Sequence, residues 1–209
     1  MTPAEAKTMQ TNLGFIGGDI DGRPGRATYA QLFRLMGATA AGAAALGLSA
    51  SVNFPRYGID DSPTRLIHFV GQCAHESGGF RVMREIWGPT KQQAGYEGRK
   101  DLGNTRPGDG ILFLGRSPGM VTGRGNYRRV SARMGVDVEA EPQLLERFDL
   151  GLWAFCIWWD ENKANRVADL NDVAKISRLI NRGNANAERP ANHEAERGVL
   201  TLKARKLII

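Results

Sequence analysis

The chain is poor in cysteine and histidine and has no long apolar run. Its 209 residues include two cysteines, Cys73 and Cys156, which is too few for a disulfide framework. Each falls in a helical apolar pattern, where a buried free thiol is expected. Three histidines leave little material for a metal site. His68 and His75 lie seven apart on one face of a predicted helix, but H-E-S-G-G lacks the second histidine of a zinc H-E-x-x-H motif. Both read as packing or hydrogen-bonding residues, and no metal is expected. No secretory signal is visible, because the first fifteen residues are mixed and contain no apolar core. The stretch from Ala38 to Ala50 is apolar but only thirteen residues long, too short to cross a bilayer. It reads as a closely packed helix, and no stable membrane insertion is expected. There is no long-range repeat and no low-complexity tail.

The composition is that of a globular chain, with 42% hydrophobic and 24% charged residues. The length suits one domain, or one domain with a small appendage, and a monomer is the default. The net charge of +6 favours polyanions such as nucleic acid, anionic membranes or an acidic cell wall. Arg128, Arg129 and Arg133 would suit nucleic acid, but no nucleic-acid-binding fold is recognisable. They read as a solvated face, and nucleic acid is not an expected partner.

Local signals predict a mostly helical chain, with a short hairpin in the loop-rich residues 80–120. A helix is expected from Thr39 to Tyr57, ending at Phe54-Pro55. Ser62-Pro63 reads as an N-cap followed by proline in the first turn, and Leu66, Phe69, Val70 and Cys73 continue at helical spacing until Gly78-Gly79. Further helices are expected from Tyr127 to Met134, after Pro142, from Asp149, from Asn171 or Asp172 to Gly183, and from Pro190 to about Lys206. The Asp149 helix is apolar almost all round and should be central.

Glu76 falls in the last turn of the Pro63 helix. A carboxylate there meets the negative end of the helix dipole, which favours the protonated form that a general acid needs. Nine residues on, past a glycine turn, comes Glu85. Two carboxylates facing each other across a cleft are the apparatus of glycoside hydrolysis. The plainer alternative is a solvated helix end, with Glu85 neutralised by Arg81, Arg84 or Arg99. Trp87 and Tyr96 in the following loop are aromatics that could stack on sugar faces, although packing is the default for Trp87.

Two resemblances sharpen this reading. In the segment Leu13–Phe33, Ile20, Asp21, Gly22, Gly25 and Thr28 resemble one repeat of the small helical peptidoglycan-binding domains. This marks residues 1–37 as a small helical segment, either a wall-binding repeat or a structural cap. Residues 38–209 resemble glycoside hydrolase family 19, and within it the bacteriophage endolysin branch. The matching pieces are Y-G-I-D-D-S-P-T-R-L-I-H-F-V-G-Q-C-A-H-E-S-G-G-F, L-G-N-T-R-P-G-D-G, G-R-S-P-G-M-V-T-G-R-G-N-Y and L-I-N-R-G-N.

The resemblance implies a lysozyme-like, two-lobed helical domain with a cleft. It implies Glu76 as general acid, Glu85 as general base and Thr122 as the hydroxyl that places the attacking water, with inversion of configuration. Tyr96, Met120, Asn126, Asn181 and Arg189 are the expected substrate-binding positions. The implied substrate is the β-1,4-linked glycan of peptidoglycan, with no metal or organic cofactor. The implied setting is host lysis, with the protein held in the host cytoplasm until a separate pore-forming protein releases it to the periplasm and wall. A chitinase of the same fold, or an impaired wall-binding or virion protein, is the alternative. Four departures stand out: Ser117 replaces a glycine of the family pattern, Gly119 an aliphatic residue, Met120 a glutamine that donates to substrate, and Arg182 a glycine. His193 also stands where a tyrosine is common.

Overall fold

The computed structural model describes all 209 residues, and every regular element in it is a helix. The elements are α1 (Pro3–Asn12), α2 (Arg26–Met36), α3 (Ala40–Arg56), α4 (Pro63–Glu76), α5 (Lys91–Ala94), α6 (Asp109–Leu112), α7 (Arg124–Met134), α8 (Phe148–Glu161), α9 (Ala164–Ala168), α10 (Val173–Arg182) and α11 (Glu194–Ile208). Short 3-10 turns at Gly17–Asp19, Lys100–Leu102 and Pro142–Glu146 link them.

Local chemistry sets most boundaries. The Ser62 hydroxyl accepts from Arg65 N, and Pro63 occupies the first turn of α4. Thr39 caps α3 through Gly42 N. Asp172 caps α10 through Lys175 N, and Gly183 ends it at φ +72°. A Thr2–Glu5 capping box opens α1; the T-P-A-E that forms it is a helix signal absent from the expectations above.

Three expectations need correction. The last helix begins at Glu194 rather than Pro190, because residues 184–193 form turns and His193 takes a left-handed φ of +55°. Helix α7 begins at Arg124, three residues before Tyr127. The hairpin reduces to isolated bridges, Arg84 with Arg116 and Arg116 with Val121. The chain cannot extend the pairing because Ser117 and Met120 turn it at φ +80° and +55°.

Helix α4 shares the centre with α8. Residues Leu66 to Ala74 are buried without a break, polar His68 and Gln72 included. Two contacts explain this. On one side α11 comes close at Gly71, where a Cβ would lie 2.7 Å from Thr201 Cα. On the other, Phe69 meets Phe54 of α3 edge-on at 5.1 Å and Trp159 of α8 at 5.0 Å. Each such aromatic pair adds about 0.5–1.5 kcal/mol beyond its buried area.

Residues 1–37 join the same core. Met9, Leu13, Tyr29, Leu32, Phe33 and Met36 belong to one hydrophobic cluster with α3, α4 and α8. Tyr29 OH donates to Asp60 Oδ2 at 2.5 Å, tying α2 to the loop before α4. The I-D-G turn is internally occupied: Asp21 Oδ1 accepts from Gln10 Nε2 at 2.7 Å, and Gln10 Oε1 accepts from Gly22 N at 2.8 Å. Cys73 and Cys156 are free and buried. No helix is long and apolar enough to cross a membrane.

Candidate active site

The end of α4 and the end of α10 form one wall of a groove, and residues 82–122 form the other. One part, about 470 Å³, is lined by Glu76, Val82, Glu85, Tyr96, Met120, Thr122 and Asn181 among others. It runs into a second part of about 380 Å³, sharing Tyr96, Met120, Thr122 and Asn181 and adding Asn126, Trp158 and Arg182. No group of three or more His, Cys, Asp or Glu side chains converges to hold a metal ion.

Glu76 is held by a residue that sequence reasoning missed. Arg197, only 2% exposed, donates from Nη2 to Glu76 Oε1 at 2.5 Å. Arg197 Nη1 donates to Gln72 Oε1 at 2.9 Å, and Gln72 Nε2 donates to Ser177 Oγ at 3.1 Å. This buried chain orients the carboxylate from behind and leaves Oε2 to the groove. Arg197 lies 121 residues from Glu76, so no local pattern marks it.

Glu85 is fixed by three donors. Its Oε1 accepts from Gln93 Nε2 at 3.0 Å and from Tyr96 OH at 3.3 Å, and its Oε2 accepts from Gly115 N at 3.2 Å. None of the three arginines considered above neutralises it. Arg81 donates to Gly37 O, Arg84 lies beside Glu146, and Arg99 pairs with Asp101. Gln93 was also missed, although T-x-x-Q is a capping-box signal: Thr90 and Gln93 form that box and turn α5 toward Glu85. Burial, and next the charge of Glu85, push the Tyr96 phenol up to about 12.

Thr122 lies close to Glu85. A Cβ built on Gly115 would sit 3.2 Å from Thr122 Oγ1 and 3.3 Å from Glu85 Oε2, so only a glycine's width separates the two. Thr122 Oγ1 donates to Met120 O at 2.8 Å, which leaves its lone pairs available.

The remaining expected residues divide. Met120 and Asn181 line the groove, and Asn181 Oδ1 is held by Asn192 N at 2.8 Å. Asn126 borders the groove, but its amide is engaged: Nδ2 donates to Thr122 O at 2.7 Å and Oδ1 accepts from Arg129. It braces the Thr122 segment. Arg189 is exposed and stands outside the groove lining, near Arg182. Trp87 is not part of the groove lining; it borders a separate hollow with Pro89 and Ala94, and its ring lies 6.3 Å from that of Tyr96.

The loop that carries Tyr96 is stapled by the N-T-R-P-G-D segment. Asn104 Nδ2 donates to Tyr96 O at 2.9 Å, and its Oδ1 accepts from Arg124 N at 2.9 Å. Asp109, 1% exposed, pairs with Arg124 at 2.5 Å and accepts from Thr105 N and Arg106 N. The Arg124 bond holds its carboxyl below the usual range.

No family model matches the chain. Over 142 residues it is 28% identical to a glycosyl hydrolase family 19 domain-containing protein of Haemophilus influenzae, covering 55% of this chain and 69% of that one. Chitinase C from Streptomyces griseus superposes with a TM-score of 0.62 at 18% identity, covering 93% of this chain and 79% of that one. A class IV chitinase from Zea mays gives 0.60 at 18% identity, covering 87% and 91%.

The fold is that of the family 19 glycoside hydrolases. Sequence similarity and fold together support a glycoside hydrolase. Against the family 19 pattern, two departures gain a physical account. Ser117 adopts φ +80°, a conformation suited to the glycine it replaces. Its hydroxyl offsets part of the strain by accepting from Gly119 N at 3.3 Å. Gly119 is required because Phe155 fills its side-chain space: a Cβ there would lie 2.1 Å from the ring. Met120 has no account of this kind.

Proposed function

We propose that this chain is a muralytic endolysin, hydrolysing β-1,4 glycosidic bonds of peptidoglycan by an inverting acid/base route. The observation that carries the reading is the placement of Glu76 and Glu85 in one groove, each oriented by its own buried partners, with Thr122 beside Glu85. Glu76 protonates the glycosidic oxygen through the carboxyl oxygen that Arg197 leaves free. Glu85 takes a proton from a water oriented by Thr122, and that water attacks the anomeric carbon from the opposite face. Arg197 stabilises the Glu76 carboxylate that remains.

In this reading peptidoglycan is the partner, the net charge of +6 favours the approach to anionic wall polymers, and the protein acts in host lysis. It waits in the host cytoplasm until a pore-forming protein gives it access to the periplasm. The test is turbidity loss of permeabilised Gram-negative cells. Clearing by wild type but not by Glu76→Gln supports the proposal, and no clearing by either folded protein overturns it. A chitinase reading is favoured by the solved chitinases that share the fold; release of reducing ends from chitin oligomers, with none from sacculi, would select it.

A further inference from the structure

Two arginines line the groove beyond Thr122, and they differ in one respect. Arg99 is neutralised by Asp101, with contacts of 2.7 and 2.5 Å. Arg182 has no carboxylate partner. Its Nε and Nη2 donate to Pro190 O at 3.2 and 2.9 Å, and Nη2 also donates to Asn192 Oδ1 at 2.6 Å. These neutral acceptors hold the guanidinium in place without discharging it, and Nη1 is left without a protein partner. Neighbouring Asn181, held through Oδ1, keeps its Nδ2 free as a second donor. Arg189 adds an exposed positive charge nearby. Burial, then the charges of Arg189 and Arg197, lower the proton affinity of Arg182. The positive field around Arg182 is thus set by Arg189 and Arg197, and no carboxylate pairs with its guanidinium.

A neutral sugar strand cannot relieve this field, whereas a carboxylate can. A planar guanidinium already fixed along one edge is suited to receive one. We propose that Arg182, assisted by Arg189 and Asn181, forms a subsite for a carboxylate-bearing substituent on an amino sugar. The proposal rests on the peptidoglycan reading above and deepens it: Arg182 would select acidic strands over neutral chitin.

The test compares three substrates: peptidoglycan strands with free carboxylates, the same strands after carbodiimide amidation, and chitin oligomers. Each is offered to wild type, Arg182→Gln and Arg189→Gln. For wild type, kcat/KM is expected to be about tenfold higher on free than on amidated strands, the size of one charge-assisted hydrogen bond, and the difference should lie in KM. Arg182→Gln should bring the two rates close to equality, and Arg189→Gln should narrow the gap. Arg189 is exposed, so its variant keeps the test valid if Arg182→Gln loosens residues 183–193. Equal rates for wild type on free and amidated strands, or a preference that survives both substitutions, would overturn the subsite while leaving peptidoglycan as substrate. Cleavage of chitin alone would overturn both.

Discussion

Arg197 and Glu76 act as one charged unit joining α11 to α4, with Arg197 sealed in the core and Glu76 at the groove. This bears on the choice of an inactive variant. Glu76→Gln removes the transferable proton but keeps an oxygen that Arg197 can donate to. Activity should fall at least about a hundredfold, with a melting temperature only a few degrees lower. Arg197→Met strands both Glu76 and the buried Gln72 amide. It should cost about 3 kcal/mol in urea unfolding as well as activity.

Gly119→Ala should be destabilising out of proportion to its size. The added methyl meets the Phe155 ring, which is stacked on Trp158 at 5.4 Å and cannot easily retreat. A loss of about 1–3 kcal/mol is expected. The double variant with Phe155→Leu should recover part of it in a double-mutant cycle; strict additivity of the two losses would count against this contact.

Met120 lines the groove at a left-handed φ of +55°, where the family pattern has glutamine. Met120→Gln leaves the backbone strain as it is and adds a donor facing the glycan. Stability should change little, and kcat/KM on soluble glycan should rise about tenfold. No rise would mean that the groove binds substrate without a contact at this position.

His75, half-buried beside Glu76, is held at about pH 4, chiefly by burial, then by Arg197 and His193, with Glu196 opposing. The unfolded chain therefore binds a proton between pH 6.5 and 4 that the folded chain refuses. Stability should fall as the pH drops through that window, by about 1 kcal/mol once solvent screening is allowed for. His75→Asn should flatten that part of the melting-temperature profile. The loss carried by Glu139, held at about 2 first by its bond from Arg128 and then by Arg124, should begin as the pH drops through the ordinary 4.5 and be complete near 2.

What could be read beforehand followed the range of the signal. The ends of α4 were legible because Ser62-Pro63 and Gly78-Gly79 act on their own neighbours, and they place Glu76 correctly. The capping of α10 by Asp172 and its stop at Gly183 were legible for the same reason. The support of the two carboxylates was not. Arg197 reaches Glu76 across two helices, and Gly115 N reaches Glu85 across thirty residues. The hairpin failed because the turn signals in the loop-rich residues 80–120 carry no information on the left-handed turns at Ser117 and Met120. Helix α11 was started too early because Pro190 resembles an opening residue, while the turn that delays it depends on His193 and on Arg182 reaching Pro190 O.

The seating of α2 against α3 has a practical side. Gly47 lies so close to α2 that a Cβ would fall 2.6 Å from Arg26 O, and Phe33, Tyr29 and Leu32 are completely covered. A segment joined in this way is not a detachable targeting head. Anyone building chimaeras from this chain could not exchange residues 1–37 as a cassette without leaving α3 with an uncovered oily flank. The productive cut for grafting lies outside the folded unit altogether.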